Sequence, residues 1–146
     1  MSEAGATPAG PRPSSTRSKA RKRALDILFE SELRGVDPLQ TLAERTADAA
    51  PPVREYTATL VEGVHAHADA IDGRIAAALK AGWTLPRLPR VDRTALRIAT
   101  YELDYTELPP AVAVAEAVHL VSELSTDDSP SFVQGVLGGL VSTRQT

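Results

Sequence analysis

Apolar residues recur at intervals of three and four along most of the chain, which is the period of a helix with one buried face. No stretch shows the period-two alternation that is typical of a half-buried strand. The predicted helices begin near seven positions: Thr16, Asp37, Val53, Asp69, Pro89, Val112 and Ser129. Helices this short are marginal alone and must pack on one another to be stable. The pattern therefore predicts an all-α single domain of about seven helices, packed as two antiparallel sub-bundles.

Helix starts and stops are marked by capping residues, glycine and proline. Thr16 or Ser18 can cap the first helix, and Gly35 can end it in the left-handed conformation. Asp37-Pro38 combines an N-cap with a proline at the first helical position. We expect the fourth helix to end at Gly82, and Leu108-Pro109-Pro110 to break the chain before the sixth.

Length and composition fit one ordinary globular domain. The chain has 146 residues, of which 42% are hydrophobic and 24% charged. Residues 1–15 hold three prolines and no apolar run, so we expect a disordered tail there and a folded domain over residues 16–146. There is no cysteine, and neither a secretory signal nor a membrane span is recognisable, which makes the cytoplasm the expected location.

Charge is distributed unevenly although the net charge is only −3. Six basic residues and no acid lie between Arg12 and Arg23, whereas seven acids and no lysine or arginine lie between Ile98 and Thr143. This asymmetry suggests one surface for a polyanion and another for a basic partner, although two solvated faces would also explain it.

The basic cluster coincides with the start of the first predicted helix. Arg17 and Arg21 are four residues apart and so share a face, and Lys19, Lys22 and Arg23 flank it. Cations at a helix N-terminus repel the positive end of the helix dipole, whereas phosphate is favoured there. Since no aromatic residue is near in sequence to stack bases, we expect phosphate-dominated contacts. Solubilisation of the chain end is the alternative.

Two other polar groups have more than one interpretation. Arg87, Arg90, Arg93 and Arg97 are spaced as a helical ridge, either for nucleic acid or for ion pairs with the acidic C-terminal half. The segment from Ser125 to Pro130 is mainly a helix cap, but its two adjacent carboxylates, Asp127 and Asp128, could also hold a base amine or an arginine.

Signs of catalysis are weak. His65 and His67 point to different sides of a helix and cannot grip one metal ion, and Glu116 with His119 forms only half of a di-iron motif. No phosphate-binding glycine loop and no activated nucleophile is recognisable. We therefore expect no catalytic residue, metal or cofactor.

Four stretches of the chain resemble the NusB family of bacterial transcription antitermination factors, in the family's order. They are Ala20–Phe29 (ARKRALDILF), Gly82–Leu88 (GWTLPRL), Val91–Leu103 (VDRTALRIATYEL), and Glu116–Val118 (EAV) with Ser129–Leu137 (SPSFVQGVL). Each is weak alone, but together they are specific and span residues 17–141. Ser18 stands where the family often has Arg, which would weaken the grip on phosphate. Gln134 stands where the family usually has Asn, so a buried hydrogen bond of that Asn would have to be reached differently by the longer amide.

The resemblance implies an all-helical bundle that binds the boxA element of nascent ribosomal RNA together with NusE, a small-subunit ribosomal protein, within an RNA polymerase antitermination complex. The residues it implies for RNA binding are Arg17, Ser18, Lys19, Arg21, Lys22 and Asp128. For the partner surface it implies Asp92, with Arg93 and Glu102 as further candidates.

Three alternatives stay open at this point. The chain could be a helical protein-binding scaffold without RNA affinity, or it could form a homodimer that hides its RNA surface. NusB-like domains also occur fused to rRNA cytosine methyltransferases, but the sequence given ends at Thr146 with no methyl-donor domain, which argues against an enzyme subunit.

Overall fold

A computed structural model describes residues 15–48 and 51–144 of the chain. These residues contain seven α-helices, one 3₁₀ turn and no strand. The helices are α1 (Thr16–Arg34), α2 (Pro38–Asp48), α3 (Glu55–Ala66), α4 (Ala68–Ala78), α5 (Arg90–Tyr105), α6 (Pro110–Leu124) and α7 (Ser129–Ser142), with the 3₁₀ turn at Leu85–Arg87. The predicted all-α class is confirmed. The expected disordered tail lies outside the described residues, apart from Ser15.

The helices pack as two groups that share α5. Helices α1, α2 and α3 contact one another. Helices α4, α5 and α7 also contact one another, α6 packs on α5 and α7, and α5 contacts α1 and α3 as well. Ten of the sixteen residues of α5 are buried, including charged Asp92, Arg93 and Glu102. The predicted pair of sub-bundles is therefore present, with α5 as the element that joins them.

Local signals set most helix ends as predicted. Gly35 adopts φ 68°, and its N–H donates to the carbonyl of Glu32, ending α1 in the left-handed conformation. The N–H of Leu39 donates to the Asp37 carboxylate at 2.7 Å, which makes Asp37 the side-chain cap of α2.

Three predicted boundaries were wrong. The cap of α1 is Ser15, whose hydroxyl accepts the N–H of Ser18 at 3.0 Å, rather than Thr16 or Ser18. Helix α4 ends at Ala78, because Leu79 turns into extended backbone and packs against the core, and Gly82 (φ 90°) belongs to the following turn. Helix α6 begins already at Pro110, since proline is well suited to a first helical turn.

Candidate nucleic-acid interface

Three basic side chains are exposed at the start of α1. They belong to Arg17, Lys19 and Lys22, all within the first two turns of the helix. No acidic residue lies in the first turn, so nothing there offsets the positive end of the helix dipole. Positions 17 and 19 lie about 200° apart around the helix axis, so the three cations surround this end of α1 rather than share one face. We call this end of the helix, with its three cations, the α1 basic surface.

Arg17 lies over an aromatic ring from another helix. Its guanidinium carbon is 3.8 Å from the centroid of the Tyr56 ring at the start of α3, a close cation–π contact. The expectation that no aromatic residue would be available at the basic cluster was therefore wrong. Tyr56 belongs to another helix, so the sequence around Arg17 does not reveal this contact.

Arg21 is buried, with only 2% of its surface exposed. Its Nε donates to both carboxylate oxygens of Glu102, at 3.0 and 3.1 Å, and its Nη1 lies 3.3 Å from Glu116. One guanidinium thus joins carboxylates from α5 and α6 to α1. The expected direct contact of Arg21 with RNA is corrected, because its donors face the interior.

Ser18 is buried in the same network. Its hydroxyl lies 3.0 Å from both carboxylate oxygens of Glu116 and donates to that carboxylate, while the hydroxyl of Ser15 donates to Ser18 at 2.7 Å. Ser18 therefore binds α1 to α6 and is not placed to grip a phosphate, which corrects its expected role as an RNA contact.

The phenol of Tyr56 completes this cluster. Its hydroxyl donates to the Glu102 carboxylate, and burial together with that hydrogen bond raises the pKa of Tyr56 to about 12. Burial also raises the pKa of Glu102 above its ordinary value, although the Arg21 guanidinium works in the opposite direction. We refer to Ser18, Arg21, Tyr56, Glu102 and Glu116 as the buried polar cluster.

Asp92 organises the turn between α6 and α7. Its two carboxylate oxygens accept hydrogen bonds from the hydroxyls of Ser125, at 2.6 Å, and Ser129, at 2.9 Å. Asp128 is exposed, and its side chain makes no capping hydrogen bond to α7. The segment does not cap α7 through its N-cap side chain, as one interpretation held; Asp92 of α5 holds the turn instead, and Asp128 remains accessible.

The expected partner residues are turned inward. Asp92, Arg93 and Glu102 are 2%, 6% and 1% exposed, and each is hydrogen-bonded within the chain. Arg93 donates to the carbonyls of Leu85 and Leu88 and pairs with Glu32. The expectation that these three side chains face a partner is corrected, because they hold the helices together.

The arginine ridge does not exist as one surface. Arg87 lies in the 3₁₀ turn, Arg93 is buried, and Arg97 forms a two-point ion pair with Asp72 of α4, at 2.8 and 3.0 Å. Neither Arg93 nor Arg97 pairs with the acidic C-terminal half. Their acidic partners come instead from α1 and α4, elements that the spacing of the arginines could not reveal.

Within residues 15–48 and 51–144, no three His, Asp or Glu side chains come together in a way that could hold a metal ion. In the same described ranges, no helix has the length and apolarity needed to cross a bilayer. These observations leave the α1 basic surface as the most distinctive chemical feature.

The fold is a small all-helical bundle. Its first helix begins with a cationic surface, and the buried polar cluster holds that end of the helix in place. The NusB family pattern matches residues 18–142. This chain belongs to the NusB family.

The comparisons extend over nearly the whole chain. The transcription antitermination protein NusB of Acidothermus cellulolyticus is 55% identical over 131 residues, covering 89% of this chain and 90% of that protein. The protein of the same name from Saccharopolyspora erythraea is 54% identical over 125 residues, covering 84% of each.

Solved structures show the same fold. NusB of T. maritima superposes with a TM-score of 0.80 at 30% identity, covering 90% of this chain and 94% of that one. A crystal structure of the antitermination factors NusB and NusE in complex with double-stranded RNA matches with a TM-score of 0.75 at 28% identity, covering 86% of this chain and 96% of that one.

Proposed function

We propose that this chain is a transcription antitermination factor that binds boxA-type single-stranded RNA of nascent ribosomal transcripts together with NusE. In this role it acts within an RNA polymerase antitermination complex and supports rRNA synthesis. The observation that carries the proposal is the exposed α1 basic surface on a chain whose relatives are named antitermination proteins. A relative of the same fold is crystallised with NusE and RNA, which supports both partners.

The RNA surface we propose is smaller than the sequence indicated. Arg17, Lys19 and Lys22 are the exposed cations of this surface, while Ser18 and Arg21 hold α1 in place from inside. Asp128 is the candidate for a contact at a second point. Along the axis of α6, the nine residues from Glu116, which binds Ser18, to Ser125, which lies beside Asp92, span about 13 Å.

Because Asp92, Arg93 and Glu102 are buried, the surface that contacts NusE must consist of exposed residues near them. Asp92, Arg93 and Glu102 fix the path of α5, and we propose that NusE contacts the outer side of this helix and the turn before it, where Arg87 and Arg90 are exposed. A homodimer formed through this surface would compete with NusE.

The role we propose is non-catalytic and cytoplasmic, and residues 16–146 act as one domain. The family supports this, because its relatives here are named as antitermination proteins and not as enzymes. The binding experiment below distinguishes this role from the alternative of a helical protein-binding scaffold without RNA affinity.

Charge reversal on one helix tests the RNA surface. Arg17→Glu combined with Lys22→Glu should weaken boxA binding at least tenfold, because two attractive charges become repulsive. The matched control is Arg34→Glu, which reverses the same charge at the opposite end of α1, where Arg34 pairs with Glu30 and Glu44 on the surface.

Circular dichroism should show equal helical content in all of these proteins. Equal RNA affinity of the double variant and the Arg34→Glu control would remove α1 from the RNA surface. Binding of NusE with no RNA affinity in any of the proteins would instead support the scaffold alternative.

A further inference from the structure

The contact between Arg17 and Tyr56 joins an exposed cation to a half-buried ring. The guanidinium carbon lies 3.8 Å from the ring centroid, while that of Arg21 lies 5.6 Å from it on the interior side of the site. Among the described residues, Arg17 has no carboxylate partner, so the ring is the group that orients it. Because the ring covers one side of the guanidinium, the opposite side is left for a ligand.

The ring itself is fixed from within. The Tyr56 hydroxyl donates to Glu102, which is 1% exposed and held by Arg21. In the next residue, the hydroxyl of Thr57 donates to the carbonyl of Ala20 at 2.9 Å, which pins the start of α3 to α1. Tyr56 and Arg17 are therefore set in position by two independent links between the helices.

We propose that Tyr56 is a positioning residue that holds the Arg17 guanidinium as a flat platform on which one RNA base stacks. This inference rests on the proposed RNA-binding function and deepens it. It assigns Tyr56 to the RNA surface and gives Arg17 a role other than phosphate contact.

The chemistry favours a base over a phosphate at this position. A lysine supplies the same charge to a phosphate, but only a planar guanidinium stacks on an aromatic face and offers a second face of its own. Lys19 and Lys22, which point to other sides of the same helix end, are point charges suited to the backbone. The α1 basic surface thus combines two phosphate-binding lysines with one stacking arginine.

Matched substitutions at Arg17 and Tyr56 distinguish the loss of base stacking from the loss of charge and from a loss of stability. Arg17→Lys keeps the charge at an exposed position and removes the plane. Tyr56→Phe and Tyr56→Leu both lose the hydroxyl bond to Glu102, so they share that cost in stability, but only Tyr56→Phe keeps the aromatic ring. Affinity is measured by titration of labelled boxA RNA, and then of RNAs with a single abasic nucleotide placed at each position in turn.

We expect Tyr56→Phe to bind within about twofold of the wild type, and Arg17→Lys and Tyr56→Leu to bind about tenfold more weakly, the size of one base stack. The dependence of affinity on salt should be unchanged in Arg17→Lys, since the charge is kept. One abasic position should weaken the wild type about tenfold and should have little further effect on Arg17→Lys.

Three results would overturn this inference. Full affinity in Arg17→Lys, or equal affinity in Tyr56→Phe and Tyr56→Leu, would show that no base stacks there while leaving the proposed RNA function intact. If the wild type itself bound boxA no better than a scrambled RNA, the specific RNA function and the stacking platform would both be rejected.

Discussion

At the scale of single residues, the buried guanidinium of Arg21 connects three helices. It contacts Glu102 of α5 and Glu116 of α6 from within α1, and all three residues are at most 5% exposed. Such a group is costly to bury but more costly to leave without its partner. Stability and the shape of the RNA surface therefore depend on the same side chain.

Removing Arg21 should be strongly destabilising. We expect Arg21→Ala to lower the free energy of unfolding by about 3–5 kcal/mol, because two carboxylates would lose their buried cation. Lys22→Ala, the exposed neighbour on the same helix, should change it by less than about 0.5 kcal/mol. Urea unfolding measures both, and equal stabilities of the two variants would contradict the buried-cation role.

Glu102 gives a prediction about pH. Its pKa in the folded protein lies above the ordinary value of 4.5, because burial disfavours the charged form. The folded state thus binds this proton more tightly than the unfolded state, and the stability contributed by Glu102 falls as pH rises from about 4.5 through the folded pKa.

Comparison with Glu102→Gln isolates this effect. The stability of the wild type minus that of the variant should decrease as the pH rises above about 4.5 and level off above the folded pKa, as measured by urea unfolding at each pH. A difference that increases over that range would show that the pairing with Arg21 outweighs burial.

Gly63 is required for a close approach between helices. A Cβ at this position would lie 2.2 Å from the ring of Tyr101, so Gly63→Ala should destabilise the protein by about 1–3 kcal/mol. Gly73, inside α4, has nothing within 4 Å of such a Cβ, and Gly73→Ala should stabilise by about 0.5–1 kcal/mol. Thermal melting should shift in opposite directions, and the same shift in both would contradict the packing at Tyr101.

At the scale of elements, the turn between α6 and α7 is held by a carboxylate from α5. Asp92 accepts from Ser125 and Ser129, whereas Asp128, which has the N-cap position of α7, makes no side-chain bond to the helix. The local sequence did not reveal which carboxylate holds this turn, because Asp92 reaches across from another helix.

Substitutions of Asp92 and Asp128 should distinguish an effect on the stability of the fold from an effect on RNA binding. We expect Asp92→Ala to cost about 2–3 kcal/mol in unfolding free energy, since two hydrogen bonds to a buried charge are lost. Asp128→Ala should cost less than about 1 kcal/mol, the size of a helix-dipole interaction. Any change in RNA affinity in Asp128→Ala would then be a surface effect. Equal losses of stability would contradict the roles assigned to these acids.

Much of the element pattern could be predicted from local signals. Gly35, Asp37 and the Ser129-Pro130 pair act within a few residues of the ends they set, so the sequence nearby is sufficient. The burial of Arg21 could not be predicted in this way. Its partner Glu102 is 81 residues away, and only the packing of α5 against α1 brings the two together.

The candidate site was predicted in part for the same reason. A run of basic residues indicated the polyanion surface, but spacing on one helix could not separate exposed Arg17 from buried Arg21. Tyr56 was missed as a site residue because an aromatic at helical spacing resembles a core position. Its other neighbours, Arg17 and Glu102, come from elements far away in sequence.

At the scale of the whole molecule, two groups of helices share α5, and α1 presents its basic end where it meets α3 and α6. The buried polar cluster lies beneath that end and fixes its orientation. The proposed RNA surface is therefore composite, since the residues we propose as RNA contacts and the residues that orient them come from different helices.

The most direct test is a titration of labelled boxA RNA and a scrambled control, with and without NusE, at several salt concentrations. We predict preference for boxA, tighter binding with NusE, and a log–log salt slope near −2, the value for about three exposed cations that release counterions from a single strand. Equal binding of both RNAs, no gain from NusE and no dependence on salt would contradict an RNA-reading role for this chain.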